Sequence, residues 1–235
     1  MALSDVTIVK SIRLTRLTVG TVLGGVFLVF SAVFTIFAAD TSNFTQTINA
    51  GTLSVDITDS SYVTVGSPAV AMTAATFSFG CQTVTGTFGT SSQQIYIQNP
   101  DAADNGWTVS VAASGATDVW DSAGTDFDFN DPSGSGCTDG GDADSVGGQL
   151  TVDPSGGTLA AGQCDSCNTT NVTLGSSGAF SQGVTDSITI VTGAAGSSDV
   201  GDWYIRDVDL SQKIPAEQPA AADYDINMVL SIVAS

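Results

Sequence analysis

Residues 223–234 read DYDINMVLSIVA, and their alternation decides the fold class. Tyr224, Ile226, Met228, Leu230 and Ile232 fall on one side of an extended chain, and Asp225, Asn227, Val229 and Ser231 on the other. A period of two is the signature of a strand with one face buried and one wet. The same pattern recurs upstream. In 51–57 Leu53, Val55 and Ile57 share a face, and in 93–98 Ile95 and Ile97 do. Further strands are expected at 69–79, 107–112, 149–152, 171–174, 187–191 and 203–208, separated by Gly, Asn, Asp and Pro.

Composition agrees. Beyond residue 40 there is a single Glu, Glu217, and only two cationic residues, so the long unbranched side chains that solvate helix surfaces are scarce. Short strands with polar breakers predict an all-β fold, an antiparallel β-sandwich or jelly-roll-like domain over 40–235. No internal repeat argues for a propeller or solenoid.

The N-terminus is of another kind. Lys10, Arg13 and Arg16 precede an uncharged apolar stretch, 17–39, long enough as a helix to cross a hydrocarbon core that needs about 20 residues. Residues 1–16 therefore read as a basic cytoplasmic region and 17–39 as a hydrophobic helix, either a cleaved signal peptide or a retained signal anchor. Asp5 is the one acidic residue of 24 ahead of position 40, and only Arg206 and Lys213 of the five basic ones follow it, leaving the exported part at −21. Such a surface repels phosphate and excludes nucleic acid as a partner. The expected location is the cell surface or the medium, with the membrane as partner wherever 17–39 is kept.

Four cysteines, Cys81, Cys137, Cys164 and Cys167, are an even number in a segment bound for an oxidising compartment, so disulfides are expected. Three full pairings exist. Cys137 joined to Cys164 or Cys167 is favoured, because it would staple the loop between them. The C-D-S-C spacing of Cys164 and Cys167 also fits a redox motif, but the βαβ setting for one is missing.

That loop is rich in aspartate. Asp126, Asp128 and Asn130 alternate as D-x-D-x-N, and Asp139, Asp142 and Asp144 follow as D-G-G-D-x-D. Hard oxygen donors on glycine-jointed backbone suit a structural Ca²⁺, although the EF-hand register fails at its sixth and twelfth positions, Asp131 and Cys137. A solvated acidic loop that maintains solubility is the competing reading. Asn43, Asn168 and Asn171 head N-x-S/T triplets, which matter in a host that glycosylates.

Catalysis finds little support. The chain has no histidine, which removes the commonest general base and every Ser-His or Cys-His arrangement. A carboxylate-dependent glycoside hydrolase is the one enzymatic alternative, and it requires buried paired acids.

Two resemblances enter here. Asn105-Gly106-Trp107-Thr108-Val109-Ser110-Val111, with Leu210, Ile214-Pro215-Ala216, Ala222, Tyr224 and the terminal Leu230 to Ser235, resembles the WxL-domain surface proteins of bacteria. That resemblance implies a β-sandwich held non-covalently at the cell wall, although Val109 stands where the first W-x-L has Leu and Met228-Val229-Leu230 lacks the second Trp. Phe44 followed by Ala50-Gly51-Thr52-Leu53-Ser54-Val55 is similar to the entry of the TasA and camelysin group. This second resemblance implies an extracellular filament, in which Phe44 and Ile48 would anchor a strand donated to a neighbouring subunit. The expected function is thus a non-catalytic surface domain that associates with the cell wall or mediates adhesion, with a filament subunit built by strand complementation as the alternative.

Overall fold

The computed structural model describes residues 45–47, 49, 51–100, 105–141, 144–198 and 200–235. Two compact units, 1–48 and 49–235, divide the chain. The expected hydrophobic helix at 17–39, the anchors Phe44 and Ile48, and Asp142 all lie outside the described residues. Among the described residues no helix is long and apolar enough to cross a membrane.

The second unit is all-β. Its described residues form twelve strands, β1 Ser54–Thr58, β2 Gln82–Phe88, β3 Gln94–Asn99, β4 Trp107–Ala113, β5 Gln149–Asp153, β6 Thr158–Ala161, β7 Val172–Leu174, β8 Gly178–Ala179, β9 Ile188–Gly193, β10 Gly201–Arg206, β11 Val208–Ile214 and β12 Met228–Ala234. They make three four-stranded sheets: A in the order β1-β3-β10-β6, B in the order β2-β11-β5-β8, and C in the order β12-β4-β9-β7. Every pairing is antiparallel.

Sheets A and B are two stretches of the same long ribbons. β10 runs along β3 and β6, and after one residue β11 runs along β2 and β5. That residue, Asp207, has φ of 61°, and its N–H donates to the Gly89 carbonyl at 2.7 Å. Gly89 has φ of +84°, and a β-carbon there would lie 2.9 Å from the Ile205 carbonyl oxygen, so only glycine lets the neighbouring ribbon pass at this corner.

Alternation puts Ile95 and Ile97 of β3, Trp203 and Ile205 of β10, and Trp107, Val109 and Val111 of β4 into one core, and a register shift in the β4–β9 ladder lets Ile188, Ile190 and Val191 of β9 join it. Leu150, Val152 and Val208 extend it under sheet B, and Phe129 and Phe180 close it with an edge-to-face contact at 5.2 Å. β3 is buried on both faces, since Tyr62 lies 5.0 Å from the Tyr96 ring on its outer side. There the Arg206 guanidinium donates twice to the Gln94 side-chain oxygen and stands over Tyr204 at 4.4 Å.

Three expectations are corrected. Residues 69–79 are not a ladder strand: they run irregularly beside β2, touching it at the Met72–Gly86 bridge, with Phe77 and Phe79 exposed. The ladder belongs instead to Gln82–Phe88, which has few large apolar side chains but places Val84 inward. The expected strand 203–208 is two, broken at Asp207. Finally, only Met228–Ala234 of 223–234 pairs with β4; Asp225 turns aside and bridges Asp121 through N–H···O bonds of 2.9 and 3.1 Å.

Candidate functional site

A sizeable opening in the folded unit lies between two edge strands. Among the described residues β1 forms a ladder with β3 alone, apart from a bridge from Thr58 to Thr64, and β12 with β4 alone, while β1 and β12 lie near each other without joining in a ladder. β12 therefore turns a row of backbone N–H and C=O groups away from β4, whereas on β1 the Ile57 N–H donates to the Asp56 carboxylate at 2.8 Å and the Ile57 carbonyl accepts from the Val65 N–H at 2.9 Å. Between the two strands runs a cleft of about 660 Å³. Val55 and Ile57 line one wall and Met228 and Leu230 the other, and its floor is the core itself: Val111, Leu150 and Val152.

The alternation of β12 explains why the cleft is apolar. Met228, Leu230 and Ile232 face inward but are only half-buried, in contrast to Val109 and Val111 on the adjoining β4. Half-burial of three large inward side chains marks an incompletely covered core. Asp56 and Asp225 stand in the cleft wall. Asp56 is engaged locally, accepting from the Ile57 N–H at 2.8 Å and the Thr64 hydroxyl at 2.5 Å.

The cysteines pair as Cys81–Cys137 and Cys164–Cys167. The expected bridge from Cys137 to Cys164 or Cys167 is thereby corrected: Cys137 staples the acidic loop to the start of β2, 56 residues upstream, and not to the turn after β6. That turn has its own bridge. Sulfurs of Cys164 and Cys167 and a carboxylate oxygen of Asp202 lie within 4.8 Å of one another, and among the described residues this is the one group of three such donors. Asp202 is buried and organises the turn. It accepts from the Cys164 N–H at 3.0 Å, the Gln163 N–H at 2.7 Å and the Tyr96 hydroxyl at 2.5 Å. Burial, and then this bond to Asp202, push the Tyr96 hydroxyl pKa up. With its sulfurs oxidised to a disulfide, the group holds the turn and offers no thiolate to a metal.

The residues expected to hold Ca²⁺ are spread along the loop. Asp126 accepts from the Ser122 N–H at 3.1 Å, Asp139 from the Gly141 N–H at 2.6 Å and Asp144 from the Val146 N–H at 3.2 Å. Asp128 is fully buried and accepts from the Phe129 N–H at 2.6 Å, and the Asn130 amide donates to the Ala116 carbonyl at 2.9 Å. The four aspartates thus accept from backbone N–H groups within four residues, while Asn130 donates across 14 residues. The carboxylate that shapes the loop most was not among these candidates: buried Asp131 accepts from Ser133 and Gly140 N–H groups at 2.8 and 2.6 Å, binding the two ends of the 3-10 turn region together. Its signal was the D-P-S sequence at 131–133, a turn-initiating pattern.

A different acidic group forms where Asp225 meets Asp121. The neighbouring Asp126, then partial burial, a hydrogen bond shared with Asp126, and the charges of Asp225 and Asp223 raise the Asp121 pKa. All of this is at the surface. No family model, curated protein or solved structure matches the chain.

Proposed function

We propose that this chain is a non-catalytic, exported β-domain that assembles with copies of itself at the cell surface, each copy completing its sandwich with a strand donated by a neighbour. The observation that supports this reading is the apolar cleft between the edges of β1 and β12. The outer edge of β12 offers backbone groups for a ladder with an extended segment, whose apolar side chains would cover Met228 and Leu230.

The donor in this reading is 43–48 of a second copy. In a strand, Phe44, Gln46 and Ile48 share one face. Burying Phe44 and Ile48 would contribute roughly 1.5–3 kcal/mol each. Wall association or adhesion, the broader expectation, uses the same exported domain; the cleft is what favours self-association. A hydrolase is disfavoured because the two carboxylates in the cleft wall, Asp56 and Asp225, are both exposed and the chain has no histidine.

The test is assembly of the full chain, followed by light scattering and negative-stain microscopy. Wild type is expected to form concentration-dependent linear oligomers, and Phe44→Asp and Ile48→Pro to remain monomeric with unchanged circular dichroism. A wild type that stays monomeric at every concentration, or a Phe44→Asp chain that assembles normally, refutes the proposal.

A further inference from the structure

We propose that Asn168 accepts an N-linked glycan in the folded domain and that Asn171, three residues on, does not. Both head N-x-T triplets, Asn168-Thr169-Thr170 and Asn171-Val172-Thr173. Sequence treats them alike; their surroundings differ.

Asn168, Thr169 and Thr170 are all exposed. The Asn168 side-chain oxygen accepts the Thr170 N–H at 2.8 Å, which fixes the exposed side chain at the start of the triplet. The turn is anchored from behind, because the Trp203 indole donates to the Asn168 carbonyl at 2.8 Å and Cys164–Cys167 closes the preceding residues. The acceptor thus stands on a fixed platform with its side chain in water.

Asn171 is held. Its φ is 61°, and its side-chain nitrogen donates to the Gly196 carbonyl at 2.8 Å. Val172 is buried, and Thr173 is paired with Thr192 inside β7. Presenting this triplet to an enzyme would require peeling β7 from β9.

In the transfer, the Asn168 amide nitrogen forms a bond to the anomeric carbon of an oligosaccharide carried on a polyprenyl phosphate or diphosphate. The bond from that carbon to the phosphate oxygen breaks, the oxygen keeps the electron pair, and the amide releases one proton. The topology gives the modification a consequence. Residues 162–171 join β6, an outer strand of sheet A, to β7, an outer strand of sheet C, at the edges opposite β1 and β12. A hydrated glycan there blunts the second pair of edges against strand addition and leaves the cleft side open. The inference requires export of the domain but not strand complementation.

The test is glycopeptide mass spectrometry on the full chain secreted by a cell that glycosylates N-x-T triplets, as wild type, Asn168→Gln, Thr170→Ala and Asn171→Gln. On peptides spanning 168–173 a single glycan, at Asn168, is expected on the wild type, absent from Asn168→Gln and from Thr170→Ala, and retained on Asn171→Gln. The two ways of removing the first triplet guard against one variant misfolding. Secreted, disulfide-bonded wild type with Asn168 bare, or with the glycan on Asn171, overturns the proposal.

Discussion

The indole rings of Trp107 on β4 and Trp203 on β10 meet in the core with centroids 5.3 Å apart and planes inclined at 40°, joining sheet C to sheet A. Both are fully buried, but their N–H groups differ. That of Trp203 donates to the Asn168 carbonyl at 2.8 Å, whereas that of Trp107 has no partner among the described residues. Trp203→Phe therefore loses a buried hydrogen bond and strands the Asn168 carbonyl, while Trp107→Phe removes an orphaned donor. Urea unfolding is expected to show Trp203→Phe less stable than Trp107→Phe by about 1 kcal/mol. The reverse order would contradict this account of the pair.

Gly193 is the neighbour that lets Trp107 lie flat. A β-carbon there would come within 2.3 Å of the indole, so Gly193→Ala must displace the ring from its place against Trp203. Overpacking of this kind costs about 1–3 kcal/mol. A near-ultraviolet circular dichroism change should accompany the loss, since the two indoles reorient.

The two disulfides constrain loops of very different length. Cys81–Cys137 spans a sequence separation of 56 and Cys164–Cys167 of 3. Chain-entropy reasoning gives about 4 kcal/mol for the longer loop and about 2 kcal/mol for the shorter. Replacing Cys81 and Cys137 by Ser is thus expected to lower the unfolding midpoint more than replacing Cys164 and Cys167. Equal losses would show that the short bridge acts by holding Asp202 and the β6–β7 connection, beyond its loop entropy.

Much of the β-architecture was legible in the alternation itself. Ile95 and Ile97, or Leu230 and Ile232, announce their shared face because burial on one side of a sheet requires it. The misread segment, 69–79, shows the limit: Val70, Phe77 and Phe79 are apolar yet exposed, and β2 took the ladder position with threonine and glycine, whose fitness depends on cross-strand neighbours such as Leu210 opposite Gly86. The corner at Asp207 was hidden because a positive φ at an aspartate leaves no periodic trace. The cleft was hidden for another reason. β1 and β12 are some 170 residues apart in sequence, and nothing local records that two edges lie side by side without pairing.

The carboxylates at the Asp121–Asp225 bridge make stability depend on pH in a definite sense. Because the folded pKa of Asp121 is raised, the native state binds more protons than the unfolded one between the ordinary carboxylate value and the raised one. Stability contributed by that proton is present in acid and lost as pH rises through this window. Asp121→Asn is expected to raise the urea midpoint at neutral pH and leave it unchanged in acid below the ordinary carboxylate range. Asp153 behaves oppositely, since hydrogen bonds from Ser155 lower its pKa; its contribution is present at neutral pH and lost as pH falls through the folded value. Asp153→Asn should lower the midpoint at neutral pH only, and a pH-independent effect of either variant would exclude these causes.

Filling the cleft between β1 and β12 must stabilise the domain if a neighbour's strand occupies it, because a ligand that binds only the native state shifts unfolding by mass action. At about 100 times the dissociation constant the shift is about 2.7 kcal/mol. For a domain of this size that corresponds to a rise in melting temperature of roughly 5–11 °C. Scanning calorimetry of the full wild-type chain should therefore give a melting temperature that climbs with concentration and exceeds that of Phe44→Asp. The difference should vanish on dilution, where donor and acceptor no longer meet. Wild type and Phe44→Asp melting together at high concentration would mean that the exposed inward faces of Met228 and Leu230 are covered by something other than this strand.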